Sequence, residues 1–168
     1  MADHRRYNDD FYQTAGGFLL GRRTYDIFAA FWPTVTDEAD QIARALNSLP
    51  KYVASGTRPE VDWAGTTILD GDVAAAVTDL KQQPGKPLVL VGSGQLLQSL
   101  QDADLVDEYR LWLHPVVLGG GKRLFRDGGP PASFRLADSQ TTSGGLVILT
   151  YQVTCRATVD PRVREQER

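Results

Sequence analysis

The segment PLVLVGSGQLLQSL (87–100) sets the tightest limit on what this chain can fold into. Its first half is apolar without alternation, whereas a strand with one wet face alternates apolar and polar residues. Such a run suits a parallel strand covered by helices on both faces, and the expectation is that it lies at the centre of a sheet. Gly92-Ser93-Gly94 then turns the chain, and Leu96, Leu97 and Leu100 recur at helical spacing to anchor the next helix. A strand feeding a helix through glycine is the unit from which open α/β sheets are built.

The same unit recurs upstream. AGGFLLG (15–21) reads as a buried strand, and RRTYDIFAAFW continues it as a helix with Tyr25, Phe28, Phe31 and Trp32 on one side until Pro33. Thr36 is expected to cap a second helix, with Asp37 and Glu38 in its first turn and Ala39, Ile42, Ala43 and Leu46 on its apolar face. KYVAS (51–55) and TTIL (66–69) follow as strands, and a helix from Asp70 or Asp72 carries Val73, Ala76, Val77 and Leu80. From DEYRLWLHPVVLG onward the period becomes two: Tyr109, Leu111 and Leu113 alternate with Arg110, Trp112 and His114. SFRLADSQTTS (133–143), Gly144-Gly145 and LVILTYQVTC (146–155) then form an antiparallel hairpin. Together these predict one three-layer α/β domain over residues 1–155, with a mixed central sheet, helices on both faces and a C-terminal antiparallel hairpin. Residues 156–168 form a charged tail, expected to be loose.

Charge and composition remove whole classes of function. A formal net charge of −3 gives no electrostatic footprint for nucleic acid, and no apolar run is long enough to cross a membrane. The polar opening MADHRRYNDDF has no signal-peptide core, so a cytoplasmic protein is expected. The single Cys155 forms no internal disulfide, and two histidines, His4 and His114, supply no metal-ligand cluster.

Chemistry is then sought at the strand-to-helix junctions. Ligands of open α/β sheets collect beyond the carboxyl ends of the strands, where helix N-termini aim unpaired N–H groups outward and favour an anion. Gly92, Ser93, Gly94, Gln95 and Leu96 make one such junction; a plain tight turn is the alternative for a lone Gly-x-Gly. A second, GRRTY (21–25), combines Gly21 with Arg22, Arg23 and Thr24. Two arginines oppose the dipole at a helix start, so either an anion compensates them or they point into solvent. The third, SGTRP (55–59), offers Ser55, Thr57 and Arg58, with a surface turn as the alternative. Three anion-binding junctions in one small domain fit a dinucleotide, and the positive groups favour NADP over NAD.

GRRTYDIFAAFWP, KYVASGT, LVGSGQLLQSL and VDEYRLWLHPVVLGGGKRLF, in this order, resemble the dihydrofolate reductase superfamily. The resemblance is to its bacterial branch, similar to the C-terminal reductase domain of the riboflavin-biosynthesis protein RibD. It implies an NADPH-dependent reductase of a small nitrogen heterocycle of the pyrimidine or pteridine type. The reaction would be similar to that on the phosphoribosylamino-uracil of riboflavin biosynthesis, or to that of dihydrofolate reductase. It implies that Gly21, Arg22, Arg23 and Thr24 serve the cofactor phosphates, and that Gly92, Ser93, Gly94, Gln95 and Leu96 serve the pyrophosphate. Ser55 and Arg58 would serve the adenine side and its ribose phosphate, and a homodimer is expected.

Trp32, at the end of the first long helix, could stack on a heterocycle or simply close the core, and His114 could reach substrate or be an ordinary strand-end histidine. Lys122 and Arg123 of GGGKRLF could meet a phosphate or lie solvated beside a glycine turn. No catalytic acid is assignable; Asp9 and Asp10 suit a solvated helix start better. The family also implies an eight-stranded sheet whose central first strand ends in a Ser-Leu-Asp-Gly-like turn, where this chain begins MADHRRYNDD and offers seven candidate strands. That leaves a second class of function open, a nucleotide-binding or dimer-forming module without turnover.

Overall fold

The computed structural model describes residues 7–8, 11–57 and 61–155. His4, Asp9, Asp10, Arg58 and the tail 156–168 lie outside the described residues. The chain divides into two compact units, one extending to Ser99 and the other beginning at Leu100.

The first unit is a parallel sheet. Its elements are β1 (Gly17–Gly21), α1 (Arg22–Phe31), α2 (Gln41–Ser48), β2 (Lys51–Ala54), β3 (Thr66–Leu69), α3 (Val73–Gln82), β4 (Leu88–Leu90) and the start of α4 (Gly94–Asp102), with a 3-10 turn at Trp32–Thr34. The strands are ordered β3-β2-β1-β4, and every pairing is parallel. Parallel neighbours need crossover connections, and right-handed crossovers put α1 and α2 on one face and α3 on the other. On the first face Phe18, Leu20 and Val53 are fully buried beneath Tyr25 of α1 and Leu46 of α2.

Two expectations change here. The strand expected at the centre, β4, is paired to β1 alone among the described residues, and β1 and β2 are the inner strands. An unalternating apolar run reports helices on both faces; it carries no information about lateral position within the sheet. The second helix begins later than expected. Asp40, rather than Thr36, caps α2, its carboxylate accepting the N–H groups of Ile42 and Ala43 at 3.0 Å. Asp37 instead closes the preceding turn, accepting from Ala39 N while its carbonyl takes Asp40 N. Of the two aspartates offered for α3, Asp72 is the cap, accepting from Ala74 N and Ala75 N.

The second unit is antiparallel. β5 (Glu108–Leu113), β6 (Ser133–Thr141) and β7 (Val147–Cys155) pair in the order β5-β7-β6. The glycine turn at 144–145 joins β6 to β7 as expected, with Gly145 N donating to Thr142 O at 3.0 Å. Tyr109, Phe134, Phe125 and Tyr151 stack edge to face or tilted at centroid distances of 5.3–6.1 Å. The fold class is as the sequence predicts, parallel and antiparallel strands with helices. The seven strands of the described residues fall into two hydrogen-bonded sheets rather than one of eight.

Candidate functional site

The register of the parallel sheet brings the three junctions to one edge. Gly21 pairs with Ala54, so Ser55 follows directly beside it. Leu19 pairs with Leu90, so Gly21 and Gly92 both stand two residues further along their strands. The chain runs outward from β1 through β2 to β3 and then returns to the other side of β1 with β4. The crevice between the carboxyl ends of β1 and β4 is therefore the point where strand order reverses, the place at which open α/β sheets bind ligands.

Two of the three junctions are tied together there. Gly21 N donates to Ser93 Oγ at 2.8 Å, and Ser93 Oγ donates to Thr24 Oγ1 at 2.8 Å. Close approach requires glycine at both strand ends: a Cβ at Gly21 would sit 3.2 Å from Ser93 Oγ, and Gly92 has φ +62 with Thr24 Oγ1 at 3.5 Å from where its Cβ would be. Ser93 itself has φ 56, a left-handed backbone that costs a non-glycine residue about 1–2 kcal/mol. The hydroxyl that would ordinarily cap α4 is thus turned toward β1. Ser93 O begins the helix by accepting Leu97 N at 3.0 Å. The first-turn N–H groups of Gly94, Gln95 and Leu96 meet no side-chain acceptor among the described residues, and Gly94 and Gln95 are exposed. Helix α1 also starts without a side-chain cap.

The arginine pair divides. Arg22 Nε donates to Asp26 Oδ1 at 2.7 Å, both side chains about half exposed, so an internal acid offsets its position at the helix start. Arg23 is exposed and has no acidic partner among the described residues. At the third junction Thr57 N and Thr57 Oγ1 approach Ser55 Oγ at 3.3 and 3.4 Å, a local turn beside the site. The donors of this edge, helix-start N–H groups, a hydroxyl and a guanidinium without an acidic partner among the described residues, fit a diphosphate.

The remaining candidates stand on other elements of the chain. Trp32 is half-buried against Phe28 and Phe31, and its carbonyl accepts Asn47 Nδ2 at 2.9 Å. His114, at the end of β5 in the second unit, is exposed, and its carbonyl accepts Val116 N at 2.8 Å. Arg123 pairs with Asp127 at 2.6 Å and Lys122 is exposed. Among the described residues no cluster of His, Cys, Asp or Glu could hold a metal ion. No helix of the described residues is long and apolar enough to cross a membrane.

Sequence reasoning missed a buried polar network at the amino end of β2. Lys51, fully buried, donates from Nζ to Leu46 O at 2.7 Å and Leu49 O at 2.8 Å, and lies 4.5 Å from the centroid of Trp63. Burial lowers its ammonium from 10.5 to about 8. Trp63 Nε1 donates to Asn47 Oδ1 at 2.9 Å, so β2, α2 and the β2–β3 loop share one set of bonds. Periodicity gave no sign of it; the only signal was a lysine at a position where the sheet's own pattern calls for an inward side chain.

A model of the RibD C-terminal domain matches residues 2–148. The chain belongs to the RibD C-terminal domain family. It is 34% identical over 144 residues to the uncharacterized protein YyaP of Bacillus subtilis, covering 84% of this chain and 76% of the relative. Among solved structures it is similar to a putative riboflavin biosynthesis protein from Shewanella sp. PV-4, with a TM-score of 0.66 and 25% identity over 86% of this chain and 77% of that one. A pyrimidine reductase-like protein from Corynebacterium diphtheriae shares the fold, with a TM-score of 0.63 and 13% identity over 88% of this chain and 81% of that one.

Proposed function

We propose that this chain binds NADPH along the carboxyl edge of β1, β2 and β4 and reduces a small nitrogen heterocycle of the pyrimidine or pteridine type. The observation that carries the reading is the pair of helix starts tied together at the strand-order reversal, with first-turn N–H groups that meet no side-chain acceptor among the described residues. When bound, the dinucleotide supplies a hydride, and the chain's own residues supply position and charge. The N–H groups of Gly94, Gln95 and Leu96 would hold the pyrophosphate, and Thr24 with the start of α1 would hold the neighbouring phosphate. Arg23 would add the free positive charge, and Ser55 and Arg58 would face the adenine-side ribose phosphate. Trp32 would be the candidate substrate contact of this unit. A cytoplasmic homodimer completes the reading, and sedimentation velocity tests the dimer.

Nicotinamide fluorescence on titration with NADPH and NADH decides it. NADPH is expected to bind more tightly, and Arg23→Ala to cost about 1.5–3 kcal/mol of that affinity as the loss of charged hydrogen bonds. Arg22→Ala should cost less, because Asp26 already holds that guanidinium. Folded protein that binds neither nucleotide overturns the reading. The second reading, a nucleotide-binding module without turnover, rests on the sequence offering no assignable catalytic acid; at this edge the α1 carboxylate, Asp26, is paired with Arg22 at 2.7 Å. Tight NADPH binding with no consumption across a panel of pyrimidines and pteridines would select it.

A further inference from the structure

We propose that Ser93 is a positioning residue that fixes the Thr24 hydroxyl as a hydrogen-bond donor toward the phosphates of the dinucleotide; this rests on the cofactor reading above. The direction of the bonds follows from one fixed point. A backbone N–H can only donate, so at 2.8 Å the Gly21 amide obliges Ser93 Oγ to accept. The single Ser93 proton then goes to Thr24 Oγ1 at 2.8 Å, its other acceptor, Val91 O, being long at 3.4 Å. Thr24 Oγ1, already accepting, has its own proton left over, and no acceptor for it is found among the described residues. A relay from Gly21 through Ser93 to Thr24 therefore ends in an O–H without a partner among the described residues, polarised by the bonds behind it. A phosphate oxygen, which only accepts, is the partner this polarity selects.

The residue type supports the same conclusion. Position 93 has φ 56 between two glycines, where glycine would be strain-free, yet the chain keeps a hydroxyl there. The side chain also takes up the Gly21 N–H beyond the last β1–β4 pair, Leu19 with Leu90, and so extends the ladder by one bond at the mouth of the site.

Ser93→Gly separates positioning from folding, because glycine relieves the backbone strain while deleting the relay. The expected result is an unchanged melting temperature, faster exchange of the Gly21 amide by NMR, and NADPH binding weakened about tenfold, with inorganic pyrophosphate weakened in parallel. Thr24→Val should match it, Thr24→Ser should bind near wild type, and Ser93→Gly added to Thr24→Val should cost nothing more, since both act through one proton. Ser93→Gly that binds NADPH as wild type does, or losses that add fully in the double variant, overturns the proposal. Should Ser93→Gly melt early, the Thr24 pair still decides: Thr24→Val with wild-type affinity overturns it. Wild-type protein that binds neither NADPH nor pyrophosphate removes the cofactor reading and this inference together. Wild-type binding with insensitive variants removes only the inference.

Discussion

The two units of the chain bury their apolar residues to different degrees. In the parallel unit Phe18, Leu20, Leu46 and Val53 are all at 0% exposure, and even a lysine is enclosed with its ammonium satisfied. In the antiparallel unit Ile148 and Tyr109 are buried, but Leu113, Val116, Val117 and Leu118 are 60–95% exposed. A parallel sheet is covered by its own crossover helices, so its core closes within the unit, and the polar chemistry is left at the strand ends. A three-stranded antiparallel sheet has no such crossovers and covers one face with aromatic side chains and connecting loops. The enclosed core thus lies in the unit that carries the candidate site, and the longest exposed apolar run, Val116 to Leu118, in the other.

Substitutions that break this contrast can be ranked. Phe18→Ala should have the largest effect, about 3–5 kcal/mol by urea unfolding, because it opens a cavity in a fully enclosed core. An equal loss from Val117→Ser would abolish the contrast. Lys51 comes next, read as a pH dependence. Its proton is held less tightly in the folded state than in the unfolded chain, so stability rises as pH climbs from about 8 toward 10.5, by on the order of 3 kcal/mol at most. The difference between wild type and Lys51→Met across that window isolates the effect; parallel curves would show that burial does not disfavour the charge. Tyr109→Phe removes the acceptor of Gln101 Nε2 at 2.9 Å and should cost about 0.5–1.5 kcal/mol, a test of how much one buried polar contact supports the antiparallel unit. Val117→Ser, at 95% exposure, should lie within about 0.5 kcal/mol of wild type while lowering self-association measured by light scattering.

Much of the candidate site was legible because its residues speak through local chemistry. Gly21, Thr24, Gly92 and Gly94 are adjacent to predicted strand ends, and glycine with arginine at helix starts is an anion signal at any such end. What stayed illegible was division of labour. Arg22 and Arg23 are neighbours in sequence, equivalent in type and both within helical reach of Asp26, yet only Arg22 pairs with it. The bonds of the Ser93 hydroxyl to Gly21 and Thr24 span 72 and 69 residues, a partnership no local pattern announces.

The sequence by itself determined the kinds of element, their order and the two periods. Apolar residues at 3.6-residue or two-residue spacing can be dry in only one conformation, and Asp72 or a glycine pair stops or starts an element through bonds to its immediate neighbours. The tertiary structure decided which strand lies inside, which aspartate caps α2 in competition with its neighbours, and which buried lysine is satisfied by two carbonyls and an indole. Those outcomes depend on groups far apart along the chain meeting at hydrogen-bond distance, and a local pattern records which side of an element is apolar but never which partner will cover it.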